Sequence, residues 1–443
     1  MKILLAAHGF PPTHSAGAER RAERMALWHT AQGHQVEVIT VEETDVPDFK
    51  VTTKVENGFT IHRLHYDIWE HDRFSSYHDH PQVGQAIENL LSTTSFDLMH
   101  IVSGYYMGGQ AIHPAKHHHI PVVITLTEFW FLCQRLTLIQ PTGALCSGPE
   151  SHEKCMRCYW ESKQAYLIPA LHVPALMDNV WPLLRYAPHA ISKTKAFAQR
   201  QASLKEALNT VDLVICPSQF LISKFAEHDF DTSNYIFMRQ GLNFPLELEK
   251  NPPNPPGDEL KLLYIGQIQP HKGVDILIDA VTSLTDSGHN ITLDLWGSED
   301  QDVAYTQKLK AQSQPYDNIR WNGRYTGPKV WEILANTDTL VIPSRWYENS
   351  PNVILEAYVM GVPVIATNLG GMSELVEHEK SGLVFELNNP ADLAHQIKRL
   401  LDEPDLKPRL QNGIPAVKTI DDEMQEIMAH YQQLLSQREQ QGH

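Results

Sequence analysis

Two glutamates, Glu348 and Glu356, stand on either side of a predicted helix start in the run from Trp346 to Gly361. The apolar run Thr339 to Pro343 before them reads as a buried strand. Ser350 is placed as an N-cap, Pro351 as the first helical residue and Gly361 as the C-terminal stop. A strand, a loop and a helix in this order aim free backbone N–H groups and the positive end of a helix dipole at an anion. Asn352 and Glu356 lie four apart and share a helix face, while Glu348 waits in the loop beside Asn349. A ligand with an anionic middle and hydroxylated ends fits that layout, and a nucleotide-sugar is such a ligand. On one isolated helix the same glutamates read as a loop charge and a solvated face. The flanking sequence has to decide.

At 443 residues the chain exceeds one ordinary core and suggests two domains. Its 42% hydrophobic and 20% charged residues are those of a globular protein. A net charge of −17 argues against nucleic acid as a partner and against adhesion to anionic lipid by charge alone. Met1-Lys2 runs straight into a strand-like Ile-Leu-Leu-Ala-Ala, so no signal peptide is expected. No apolar run reaches the roughly 18 residues of a membrane span. Five cysteines do not make a disulfide scaffold. A cytoplasmic chain is expected, at most peripheral at the cytoplasmic face of a membrane.

The elements that would position such a site recur along the chain. Lys2 to Ala7 reads as a strand that breaks at His8-Gly9-Phe10-Pro11-Pro12. Ser15-Ala16-Gly17 opens a helix through Gln32, and Gln35 to Val41 is the next strand. This is the opening of a doubly wound parallel sheet. The loop lacks a G-x-G-x-x-G fingerprint. Gly17 either lets backbone approach a ligand or serves the turn before the helix. Strands are expected at Phe59–Leu64, Leu98–Val102, Val122–Leu126 and Val211–Cys216, and a helix at Pro81–Leu91.

Cys133, Cys146, Cys155 and Cys158 fall in one irregular insertion, about residues 128–190. Cys155-x-x-Cys158 has the spacing of a metal knuckle, two thiols upstream complete a tetrahedral set, and His152 is a spare ligand. A structural zinc and four reduced, unliganded thiols are both open. Ala165 to Tyr186 is rich in Leu, Pro, Trp and Tyr. It reads as a broken helix on the core, or as a greasy surface for a lipid-linked acceptor or a membrane interface.

Asn251-Pro-Pro-Asn-Pro-Pro-Gly257 is a stiff linker, and a second βα series follows it. Leu260–Ile265 is its first strand, and the loop Gly266-Gln-Ile-Gln-Pro-His-Lys272-Gly273 carries glycines and a lysine suited to phosphate. Strands at Ile291–Trp296 and Thr339–Pro343 flank one further helix. Val362–Thr367 and Leu383–Phe385 follow, with helices at Pro390–Leu401 and Asp421–Leu435.

Taken together, Gly266…Lys272-Gly273, Trp296-Gly297, Gly323, Pro343-Ser344, Glu348-x7-Glu356, Gly361-x-Pro363, Gly370-Gly371-x-x-Glu374 and Gly382-Leu-Val resemble the retaining glycosyltransferase family 4. The Pro-Pro…Gly17 loop, Gly33-His34 and Pro217-Ser218 extend the resemblance over nearly the whole chain. The resemblance implies a GT-B fold, α/β, with two Rossmann-like doubly wound βαβ domains facing each other across a cleft. Residues 1–245 would form the acceptor-side domain and 246–418 the donor-binding domain. Residues 419–443 would be a helix returning to the first.

It also implies roles. Glu356 would bind the donor ribose, and Glu348 would lie near the reacting face of the sugar. Lys272 would meet the diphosphate, with Gly266, Gln267 and the N–H groups around Asn349, Ser350, Pro351 and Asn352. Arg324 and Tyr325 would contact the base. The donor would be a UDP- or GDP-sugar and the acceptor a glycan or lipid-linked sugar, with no cofactor needed for catalysis. Two positions depart from the family pattern. Gln267 stands where an arginine is usual, which leaves the diphosphate to Lys272 or brings in Arg345. Thr127-Glu128 stands where many members carry His-Asp, so Glu128 is the N-domain catalytic candidate, and His8 is the nearest other polar candidate on a strand end. A GT-B nucleotide-sugar epimerase, or a nucleotide-binding homologue with weak catalysis, are the alternative readings.

Overall fold

A computed structural model describes residues 1–14, 17–43, 49–66, 80–245, 247–248 and 259–440. The proline-rich linker 251–257, and Ser15 and Ala16 at the expected helix opening, lie outside the described residues. The chain divides into two compact units, Met1–Arg239 with Asp421–His443, and Gln240–Ile420.

The first unit is built on an eight-stranded sheet. Its strands are β1 Lys2–Ala7, β2 Gln35–Glu43, β3 Lys50–Glu56, β4 Phe59–Tyr66, β5 Leu98–Val102, β6 Val122–Thr125, β7 Leu213–Cys216 and β8 Tyr235–Phe237. They lie in the order β3-β4-β2-β1-β5-β6-β7-β8. All pairs are parallel except β3 with β4. The central strands β5, β6 and β7 are buried along their whole length, as a parallel sheet covered on both faces requires. The edge strand β3 is mostly exposed, and its alternation of Lys, Thr and Glu with valine carried too little apolar signal to predict it. The stretch expected as a broken helix is two helices, Gln164–His172 and Pro174–Leu184, parted at Val173 before the proline.

The helix Ile420–Gln440 belongs, from Asp421 on, to this first unit. Its polar anchors are buried. Tyr431, fully enclosed, meets His100 Nδ1 through its hydroxyl at 2.5 Å, and His100 Nε2 lies 2.8 Å from Thr125 Oγ1. Burial holds His100 well below the usual histidine range, so its ring stays neutral. Arg21 and Glu423, both buried, form an ion pair beside it. Trp28 Nε1 donates to Asp421 Oδ1 at 2.7 Å.

The second unit is a six-stranded sheet, wholly parallel. Its strands are β9 Leu260–Ile265, β10 Ile291–Trp296, β11 Ile319–Gly323, β12 Thr339–Ile342, β13 Val364–Thr367 and β14 Gly382–Phe385, in the order β11-β10-β9-β12-β13-β14. Counted along this unit that is the doubly wound order 3-2-1-4-5-6, whose direction reverses between β9 and β12. Between β10 and β12 the single helix expected is in fact two, Val303–Ser313 and Lys329–Ala335, with β11 between them. Polar Arg320 and Asn322 on an edge strand hid its β period.

Tyr431→Phe removes the hydroxyl that satisfies His100 and strands a buried ring nitrogen. The first unit should lose about 1–3 kcal/mol, read as a lower urea midpoint. An unchanged midpoint would show that this contact carries no weight.

Candidate functional site

The polar residues of the second unit gather at the carboxyl ends of β9 and β12, where a doubly wound sheet opens a crevice. After β9 the chain makes one 3-10 turn, Pro270–Lys272, and enters the helix Val274–Asp286 through Gly273 in a left-handed conformation. A Cβ on Gly273 would lie 1.9 Å from the carbonyl oxygen of Pro343. Only glycine permits both the positive φ and that approach. The approach brings Lys272 onto the loop after β12.

There Lys272 Nζ lies 2.5 Å from Glu348 Oε1, which also accepts from Trp346 Nε1 at 2.6 Å and Ser344 Oγ at 3.2 Å. The ammonium sits 4.6 Å from the centroid of the Trp346 ring. Three donors on one carboxylate oxygen, most of it out of solvent, fix both side chains. Behind them Gly371 lies so close to the loop that a Cβ would meet the Asn349 carbonyl oxygen at 2.0 Å. Its N–H donates to Glu348 O at 2.8 Å. Neighbouring His271 is driven down to about 4 by burial and then by the Lys272 charge, and so is neutral.

The helix runs Asn352–Val359 with Pro351 as N-cap, one residue later than predicted. Pro351 keeps an extended backbone, and the Ser350 hydroxyl caps nothing. Ser350 Oγ is buried and meets no hydrogen-bond partner among the described residues. The Ser350 carbonyl and Asn352 Oδ1 both accept from Gln240 Nε2, at 2.8 and 2.9 Å. Gly361 follows the helix in a left-handed conformation, as expected. One turn inside, burial pushes the Glu356 carboxyl up to about 7. Its proximity, after burial, helps push the Tyr325 hydroxyl to about 12. Tyr325 packs edge-on against Trp296, with ring centroids 6.2 Å apart.

Other expected residues lie apart from this cluster. Arg345 is committed to Asp275 by two bonds of 2.6 and 2.7 Å and to Asn388 by a third, so it does not replace the missing arginine. Gln267 is exposed, and its carbonyl accepts from Tyr264 at 2.7 Å. Arg324 is exposed and pairs with Asp300 and Ser298. Gly266 stands directly after β9, and its carbonyl is the reason Gly297 has no side chain: a Cβ there would lie 1.9 Å away.

The first unit has its own cluster at the ends of β1, β5 and β6. His8 Nε2 lies 3.1 Å from Glu19 Oε1. Ser103, buried and at a positive φ of 67°, donates from Oγ to Glu128 Oε1 at 2.6 Å, and the Trp130 N–H donates to Oε2 at 2.5 Å. A non-glycine residue in that region is strained and is held there by its surroundings. Burial raises the Glu128 carboxyl despite both hydrogen bonds and the nearby His8. Gly17 begins its helix, and a Cβ there would meet nothing within 4 Å, so no packing inside the chain demands glycine. Gln240, Glu19 and Ser103 were not singled out from the sequence, and Ser344 and Trp346 were named only as parts of a motif or run, with no role. Gln240 and Ser103 reach residues far along the chain, and Trp346 meets the ammonium of Lys272 from the other loop.

Cys133, Cys146, Cys155 and Cys158 carry free thiols and line one cavity with His152. Burial, then the neighbouring thiols, pushes Cys155 to about 12, and burial likewise pushes Cys158 to about 12. No three of these sulfurs lie within 4.8 Å of one another. Among the described residues Glu88, His117 and His118 meet that spacing, at the surface.

The raised Glu356 makes a test of the site's electrostatics. Its proton is kept in the folded chain and released in the unfolded chain between about 4.5 and 7. Stability from this group should therefore be present below 4.5 and fade as pH rises through 7. Glu356→Gln should flatten that slope in pH-dependent urea midpoints. A wild-type slope kept by the variant would reject the assignment.

Residues 247–416 match the family model described as glycosyl transferases group 1, and residues 15–141 match that of glycosyltransferase family 4. Over 273 residues the chain is 26% identical to the putative glycosyltransferase YtcC of Bacillus subtilis, covering 56% of this chain and 66% of that protein. Matches to the curated relatives span between about a third and two thirds of their lengths. Among solved structures, the sucrose-phosphate synthase of Thermosynechococcus elongatus superposes with a TM-score of 0.66 at 19% identity, over 98% of this chain and 99% of that one. HepE of Anabaena, in complex with UDP, gives 0.65 at 16% over 98% and 100%. A match to the family 4 model thus falls in the first unit and a match to the group 1 model in the second, each on its own Rossmann-like sheet, and the chain shares the two-domain fold of these solved structures.

Proposed function

We propose that the chain transfers a hexose from a nucleotide-diphosphate sugar to a glycan or lipid-linked acceptor, with retention at the anomeric carbon and no catalytic metal. The observation that carries this is the pairing of Lys272 with Glu348 at the carboxyl ends of β9 and β12, ahead of the half-buried Glu356 on the following helix. An ammonium already held by a carboxylate, beside a helix start, is a preorganised seat for a diphosphate. Its charge interacts most strongly as the leaving group becomes anionic. Glu356, ionised, accepts from the ribose hydroxyls.

In the reaction the bond from the anomeric carbon to the β-phosphate oxygen breaks and its electron pair stays on the diphosphate, against Lys272. The acceptor oxygen bonds the same face of that carbon. Its proton leaves to the nearest base on that face, which is the departing phosphate itself. His8, Gly17 and Glu128 are the acceptor-side candidates of the first unit, and burial raises the Glu128 carboxyl, which favours its protonated form as a hydrogen-bond donor to a sugar hydroxyl. That HepE of Anabaena was solved with UDP-glucose makes UDP-sugars the first probes.

A donor panel in EDTA, read by thermal shift and nucleoside diphosphate release, should single out one nucleotide-sugar. Lys272→Ala should lower turnover by about 10²–10³-fold, and Glu356→Ala should abolish the thermal shift. No response to any donor would reject the transferase reading, and activity that requires added metal would reject the metal-free mechanism.

A membrane-associated acceptor is favoured by the helices Gln164–His172 and Pro174–Leu184. They expose Ile168, Leu171, Leu176 and Leu183, the last 74% accessible, and carry Asp178 as their only formal charge. Such a face suits the interfacial zone of a bilayer. The protein should co-sediment with phosphatidylcholine vesicles, and Leu176→Asp with Leu183→Asp should abolish this without lowering the melting temperature. Equal recovery with and without vesicles would remove the membrane from the proposal.

A further inference from the structure

Between β6 and the helix His152–Glu161 the chain runs through residues 126–151 with almost no regular structure, apart from one bridge between Ile139 and Leu145. Phe129, Trp130 and Phe131 are buried at its start, but beyond Leu138 it buries little until Gly148 and Pro149. Apolar burial alone is a weak anchor for such a segment. What it does carry is sulfur. Cys133 and Cys146 from the loop line the same cavity as Cys155 and Cys158 from the helix.

We propose that these four cysteines bind one structural zinc ion that clasps the loop to the helix. Cys155 and Cys158 are three apart on one helix, so they share a face, with Cβ atoms about 5–6 Å apart. That is wider than a disulfide allows, and suits two ligands of one ion. The loop thiols supply the other two. Four soft sulfur donors select zinc among the common divalent ions, and a complete set leaves no open coordination position, so the ion is structural. Zinc–sulfur bonds of about 2.3 Å require sulfurs about 3.7 Å apart. The loop must therefore draw in on the ion, which an irregular segment can do and a strand cannot. On binding, four thiols release their protons to solvent and the ion takes four thiolates, for a net charge of −2.

The surroundings suit that charge. Lys154, Arg157 and Arg200 line the same cavity, with Glu161 and Asp178 opposing them. Arg157 is taken up by those two carboxylates, at 2.7 Å from each. Arg200 is 3% exposed and donates to the Trp130 carbonyl at 2.5 Å, which fixes a buried cation at the base of the loop. Cys133 lies five residues beyond Glu128. An ion holding Cys133 would thus steady the turn that presents Glu128 at the end of β6.

The test is metal content and spectroscopy on the full chain. Protein purified in reductant without chelator should hold one zinc per chain, and the stripped, reduced protein should take up one Co²⁺ with the intense absorption of tetrahedral thiolate coordination. Cys155→Ser with Cys158→Ser should lose both signals, while Cys216→Ala, in the core strand β7, should keep them. Failure of wild type to bind either Zn²⁺ or Co²⁺ would overturn the proposal whatever the variants do. So would a thiol titration in denaturant without reductant that finds one thiol, the sign of two native disulfides. Neither readout involves a sugar donor, so the zinc clasp stands or falls apart from the proposed reaction.

Discussion

The contact of Gly273 with the carbonyl of Pro343 sets the whole arrangement at the carboxyl edge of the second sheet. The loops after β9 and β12 spring from adjacent strands of a parallel sheet, and both must turn away from its carboxyl edge. They can lie against each other only where one has no Cβ, and Gly273 is that residue. From this contact Lys272 reaches Glu348, Trp346 closes over the ammonium, and Arg345 reaches back to Asp275. A side chain at position 273 would separate the two loops and uncouple every pair that bridges them.

The first unit solves a different problem. Its last helix arrives from the far end of the chain and is docked by polar groups as well as by apolar ones. Tyr431 reaches His100, 331 residues away, and Glu423 reaches Arg21. Buried polar partners of this kind add little net stability when complete, but their removal is costly. They therefore favour one seat for the helix over nearby alternatives. The same unit holds Ser103 in a strained conformation in order to point its hydroxyl at Glu128.

Much of the architecture was legible because it is written in local periods. The apolar runs from Leu260, Thr339 and Val364 are continuous, as strands buried on both faces must be. Gly361 marked the end of the helix carrying Glu356 because only glycine takes the left-handed position there at no cost. The edge strands β3 and β11 were missed for the complementary reason. Half solvated, they mix polar residues into a weak β pattern that a loop imitates. The helix start was misplaced by one residue, since Pro351 serves as well before a helix as inside its first turn.

Sequence by itself determined where most of the buried strands and their loops fall along the chain, the two-domain α/β class, and the spacing that sets Glu348 and Glu356 on either side of a helix start. These are short-range properties, readable from residue type and separation. Tertiary structure alone decided which loops meet, and with that the state of each group. Glu356 rises to about 7 because of what covers it, Arg345 is lost to Asp275, and His8 gains Glu19. Burial and pairing depend on strand order, which brings distant loops together at one edge of the sheet, and no local period encodes that order.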